Sequence, residues 1–124
     1  MRKEQKREGN VFAKICPSRE VISRLSGKWS ILILALLKEK PKRFNEIKNE
    51  IEGISQKVLT ENLRSLERDG LISRKVYTQN AVRVEYKVTT ESKELLRIVK
   101  RFTNWSEQNW KKLLKNNKVH DSQF

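Results

Sequence analysis

One cysteine and one histidine stand in 124 residues, and that scarcity excludes much. With Cys16 alone, neither an intrachain disulfide framework nor a zinc finger can form. The lone histidine, His120, lies in a polar tail, so no Ser-His-Asp, Cys-His or metal-spaced cluster is available and no catalytic residue is expected. Four glycines leave no glycine-rich phosphate loop, and no metal or cofactor is expected. No apolar run approaches the roughly 18 to 20 residues that cross a bilayer, since Trp29 to Leu37 is half that length and flanked by Lys28 and Lys38. The opening residues carry charges of both signs with no hydrophobic segment behind them, unlike a secretory leader. A cytoplasmic protein with no membrane partner is the expectation.

Positive charge is abundant. Lys and Arg number 28 against 15 Asp and Glu, a formal net charge of +13. Such a surplus suits a polyanion, nucleic acid ahead of an anionic membrane surface, although excess lysine can also serve solubility alone.

The chain is one domain's worth, with a single modest core. Residues 1–10 read as a mobile basic arm, 11–115 as the folded domain and 116–124 as a frayed tail. Pro17 suits a first helical position, with Val21, Ile22 and Leu25 following at helical spacing and Gly27 ending the helix. Ser30 to Lys38 reads as a second helix, apolar nearly all round and hence deeply buried, broken by Lys40-Pro41. Phe44, Ile47 and Ile51 give a third, closing at Gly53. Ser55 then caps a fourth, with Ile54 stapled on Leu59, a stripe of Leu59, Leu63 and Leu66, and Gly70 as left-handed stop. Alternation from Ile72 to Val88, split by Thr78-Gln79-Asn80-Ala81, predicts a two-stranded hairpin. Thr89 or Thr90 caps a long last helix. This order predicts a mainly α protein with a small β-hairpin, a winged helix-turn-helix with dimerisation helices at both ends.

Opposite the leucine stripe the fourth helix carries Lys57, Thr60, Glu61, Arg64 and Arg68, with Gln56 and Ser65 at the margins. Arg and Lys can donate to guanine edges and phosphates, Gln can pair with adenine, and Thr offers a hydroxyl or a methyl. Since the N-terminal part of such a helix enters the major groove, Ser55, Gln56, Lys57, Thr60 and Arg64 are the candidate DNA contacts. Arg83 on the hairpin and Arg43 ahead of the third helix are candidate phosphate contacts, with Lys75 weaker. The plain alternative is a solvated charged face.

These residues carry a resemblance. Cys16-Pro17, Gly27-Lys28-Trp29, Arg43-Phe44-Asn45-Glu46-Ile47, Gly53-Ile54-Ser55-Gln56-Lys57-Val58-Leu59-Thr60, Leu63-Arg64-Ser65-Leu66-Glu67-Arg68-Asp69-Gly70-Leu71-Ile72, Arg74 and Val84-Glu85-Tyr86-Lys87-Val88-Thr89 together resemble the HxlR family of winged-helix regulators, relatives of the MarR group. The resemblance runs from Ile15 to about Trp105. It implies a homodimer built from the first and last helices, binding an inverted repeat and regulating nearby genes, with repression the first expectation. Two positions depart from the pattern: the wing lacks the common proline before Val84-Glu85-Tyr86, and Ser92 replaces the usual glycine.

The resemblance also marks Cys16 as a candidate redox sensor. As an N-cap it would feel the helix dipole, with Lys14 and Arg19 pushing its thiol the same way. Intersubunit disulfide, mixed disulfide and alkylation are the routes open to it; the alternative is an inert buried cysteine. Val21 on the first helix, with Leu95, Val99, Phe102 and Trp105 at near-heptad spacing along the last, are the candidate dimer contacts. A small-molecule effector is left open. The rival function is a winged helix serving as a non-specific architectural DNA binder or a protein-interaction module.

Overall fold

The computed structural model describes residues 9–123. Most of the expected arm, residues 1–8, therefore lies outside the described residues, as does Phe124. Pro17 occupies the first turn of α1 (Pro17–Leu25), with extended Cys16 as its N-cap. That turn has no use for the amide that proline lacks. The helix closes at Ser26, whose N–H donates to the Ile22 carbonyl at 2.9 Å. Gly27, expected to end this helix, instead opens the next. At φ −62° it is the N-cap of α2 (Lys28–Glu39), two residues longer at its start than the apolar run implied.

Burial of α2 is one-sided. Ser30, Ile33, Leu34 and Leu37 are buried, while Leu32 is exposed and Ile31, Ala35 and Leu36 are half-buried. The all-apolar sequence overstates the burial because part of this helix faces outward beside the last one.

After Pro41 the chain extends into β1 (Lys42–Arg43), a strand the hairpin reading does not include, and turns into α3 (Phe44–Glu50). The Glu46 carboxylate accepts the Arg43 N–H at 2.8 Å and closes the entry to α3. Gly53, at φ +88°, supplies the turn that follows.

α4 (Gln56–Arg68) begins as expected: the Ser55 hydroxyl accepts the Val58 N–H at 3.1 Å. It ends in a Schellman motif. Gly70 at φ +77° donates to Glu67, and Leu71 donates to Leu66 at 3.0 Å, so two otherwise orphaned carbonyls are satisfied. β2 (Ile72–Tyr77) and β3 (Arg83–Val88) then form the wing, with Asn80 in the left-handed region at its tip. The sheet is antiparallel in the order β1-β3-β2, pairing Lys42 with Tyr86 and Arg74 with Tyr86.

A short 3₁₀ turn (Thr90–Ser92) leads into α5 (Lys93–Gln123). Neither threonine caps this segment through its side chain. The Thr89 hydroxyl instead donates to the Gly70 carbonyl at 2.7 Å, tying the end of the wing to the end of α4. Ser92, in the place of the usual glycine, is fully buried and donates to the Thr89 carbonyl at 2.7 Å. α5 runs past residue 115 to Gln123, exposed from Trp110 onward. The polar residues there supply no apolar period, but neither proline nor glycine interrupts the helix.

Leu59, Leu63 and Leu66 of α4 meet Ile33, Leu34 and Leu37 of α2 in one core, joined by Ile47, Ile72, Leu96 and Val99. Each such side chain contributes about 1.5–3 kcal/mol by leaving water. This core fixes which face of α4 remains outside. Among the described residues no helix is long and apolar enough to cross a membrane.

Candidate nucleic-acid interface

Burial of the leucine stripe turns Gln56, Lys57, Glu61, Arg64 and Arg68 to solvent. Ser55 is also exposed, its oxygen already accepting from Val58. Thr60 is half-buried and its hydroxyl donates to the Gln56 carbonyl at 2.8 Å. The proton of that hydroxyl is committed to the helix, so the methyl and a lone pair are what Thr60 offers outward.

Arg43 and Arg83, far apart in sequence, line one recess of about 280 Å³ with the wing tip. Strand pairing accounts for this, since Arg43 lies opposite Glu85. Arg83 and Lys75 also sit over the Tyr77 ring, 4.8 and 4.9 Å from its centroid. The aromatic face gathers two wing cations that would otherwise spread apart. The sequence-predicted contacts thus fall into two groups, one on α4 and one on the wing.

Between the groups lies a recess of about 310 Å³ at the wing root, lined by Phe44, Gln56, Thr60, Arg64, Glu67, Arg74 and Tyr86. Arg74 Nε lies 3.7 Å from Glu67 Oε2, a loose and half-exposed pair. Burial pushes the Tyr86 phenol above its ordinary pKa; Arg74 opposes that, Glu67 adds to it, and Arg64 opposes it. Charges from α4 and from β2 therefore converge on one hydroxyl. Arg74 and Tyr86 appear in sequence only among the residues of the family resemblance. Their meeting depends on the β2–β3 register, which no local pattern reveals.

Cys16 is buried, at 3% exposure, yet stands outside the main core. Its thiol is held below the ordinary cysteine pKa, chiefly by a hydrogen bond with the Ser18 side chain; burial opposes this, and backbone hydrogen bonds from Ser18, Gly9 and Arg19 add to it. Hydrogen bonding, rather than the side-chain charges of Lys14 and Arg19, thus favours the thiolate.

The expected dimer contacts divide. Val21, Phe102 and Trp105 are exposed, and Leu95 is half-buried. Val99 is buried at 6% exposure and packs in its own subunit's core, with its remaining edge on the groove wall beside Leu95 and Ile98. Ile98, on the next position, is exposed in its stead. Val21, Ile22 and Leu25 of α1, Ile31 of α2 and Leu95, Ile98, Val99 and Phe102 of α5 line an apolar groove of about 380 Å³.

The HxlR-like helix-turn-helix profile matches residues 24–113, from the end of α1 through most of α5. The chain belongs to that family. YtfH of Escherichia coli, an HTH-type transcriptional regulator, is 37% identical over 111 residues, covering 90% of this chain and 88% of its own. Among solved structures, the transcriptional regulator ytfH from Salmonella typhimurium superposes with a TM-score of 0.82 at 33% identity, over 88% of this chain and 97% of its own. The redox regulator HypR in its oxidised form gives a TM-score of 0.71 at 36% identity, over 76% and 97%. In an HxlR-like chain the described α4 is the second helix of the helix-turn-helix and the β2–β3 hairpin is the wing. The chain is a helix-turn-helix transcriptional regulator.

Proposed function

We propose that the protein binds an inverted-repeat DNA site as a homodimer and thereby controls, most simply represses, the adjacent genes. The observation that carries this is the exposed face of α4, where Gln56, Lys57 and Arg64 stand free of the core, together with a second cationic group in which Arg43 of β1 joins Arg83 of the wing. Ser55, Gln56, Lys57, Thr60 and Arg64 meet base edges and phosphates in the major groove; Arg43 and Arg83 hold the neighbouring backbone. The second copy covers the apolar surface of α1 and α5, with Val21, Leu95, Val99, Phe102 and Trp105 at the joint and the exposed Ile98 beside them. Exposed aromatic side chains in a row on a long helix are what a partner would bury.

Selection from a random duplex pool at near-physiological salt tests this reading. An inverted repeat with half-sites about one helical turn apart is the expected result. Binding without sequence enrichment that disappears as salt rises would replace it with the architectural reading.

Cys16 is the trigger within this proposal. The likeness to a redox regulator and a thiol biased toward thiolate both favour it. Its hydrogen-bond partners belong to residue 9 and to residues 18 and 19 in the first turn of α1, and it stands outside the main core, so local opening around the start of α1 can expose it while the core stays intact. Cys16→Ser should abolish any change in DNA affinity caused by diamide or a quinone; an unchanged response removes the cysteine from the mechanism.

A further inference from the structure

A helix in the major groove and a wing reaching the neighbouring groove must straddle the sugar–phosphate strand that divides the two grooves. The surface turned toward that strand is the wing-root recess between α4 and the sheet. Arg64 enters it from α4, Arg74 from β2 and Tyr86 from β3. Arg74 and Tyr86 are direct cross-strand partners, so the sheet presents them side by side on one face.

We propose that this recess seats one DNA backbone phosphate, gripped by the guanidinium groups of Arg64 and Arg74 and by the Tyr86 hydroxyl. The inference rests on the DNA-binding reading above and adds Arg74 and Tyr86 to the interface. Two guanidinium groups and a phenol are donors suited to a phosphodiester, which offers only acceptors. Glu67 is the one carboxylate in the recess. At 3.7 Å its pairing with Arg74 is long and half-exposed, hence weak. In the free protein it keeps Arg74 beside α4, and an arriving phosphate competes for the same guanidinium. The seat reads no bases. It sets how deeply α4 enters its groove and contributes salt-dependent affinity to every site alike.

Fluorescence anisotropy of the full chain on a random-sequence duplex of about 30 base pairs, from low salt upward, tests the seat, because non-specific binding uses the same phosphates. Tyr86→Phe keeps the ring and should weaken binding about tenfold without changing the melting temperature. Arg74→Ala should flatten the slope of log affinity against log salt by about 0.9. Glu67→Gln should tighten binding several-fold, since it removes the competitor; a tie that merely braces the wing would give the opposite sign. Wild-type affinity and slope in both Tyr86→Phe and Arg74→Ala, or weaker binding by Glu67→Gln, overturns the proposal. Failure of the unaltered protein to bind any duplex overturns the DNA-binding reading itself, and the seat with it, so the two failures are told apart.

Discussion

Arg24, in the last turn of α1, donates from Nη2 to Oδ1 of Asp69, 3.2 Å away and 45 positions along the chain. Asp69 is the residue that ends α4. A second contact runs parallel: the Ser30 hydroxyl, next to the Arg24 carbonyl, also reaches Asn62 of α4 at 3.1 Å. The first helix is thereby fastened to α4 by polar contacts as well as through the core.

Removing Arg24 tests that fastening. The Arg24–Asp69 pair is partly buried, and Arg24 Nε and Asp69 Oδ2 are buried without partners, so it is a single-bonded pair and not a two-pronged fork. Arg24→Ala should cost about 1 kcal/mol by urea unfolding, Asp69→Ala a similar amount, and the double variant clearly less than the sum. Strict additivity would show that the contact carries no coupling.

Gly70 is held at φ +77°, with Glu91 Oε2 3.6 Å from where a Cβ would stand. Space is therefore sufficient, and backbone conformation alone sets the penalty. Gly70→Ala should destabilise by about 1 kcal/mol, and Gly70→Asn by less, because asparagine tolerates the left-handed region better. Equal losses in thermal melts would point to a steric cause instead.

Phe102 and Trp105 are half-exposed, so replacing both with Asp should leave the subunit folded while weakening self-association by about a hundredfold or more in sedimentation equilibrium. Val99→Asp is the contrast. It places a charge in the subunit's own core and should abolish cooperative unfolding at any concentration. A dimer unaffected by the Phe102 and Trp105 changes would move the interface elsewhere.

The Cys16 thiol is more acidic folded than unfolded because the Ser18 side chain hydrogen-bonds to it. Plotted against pH, the rate of alkylation by iodoacetamide should therefore turn on at lower pH in the native protein than in urea. Ser18→Ala should move the native midpoint upward, toward the unfolded one. A midpoint insensitive to Ser18 would assign the effect to another group.

Much of this architecture is legible in sequence where one residue has one local job. Ser55 as cap, the leucine stripe of α4, Gly70 as stop and the wing hairpin all follow from short-range spacing. Two-residue β1 cannot show alternation, so nothing distinguishes it from a loop. Val99 and Ile98 are neighbours on a stripe wide enough for two surfaces, and periodicity cannot tell which surface faces home. The joint recess of Arg43 and Arg83 depends on pairing between residues some forty positions apart. Cys16 shows the same limit: its N-cap place is readable from Pro17, whereas its Ser18 partner needs coordinates.

Thr89 and Arg24 both make fast to the same few residues. Thr89 leads into α5 and bonds Gly70 and Leu71; Arg24 ends α1 and bonds Asp69. The two helices on which the proposed dimer would form thus converge on the C-terminal end of α4, which becomes a pivot. The 13-residue helix places its opposite end about 20 Å away. A tilt of about 5° at the pivot would swing Gln56 by roughly 1.7 Å along that arm, enough to spoil a hydrogen bond to a base edge. In the proposed complex, leverage of that kind would let a change too small to disturb the core at one end decide occupancy of a groove at the other.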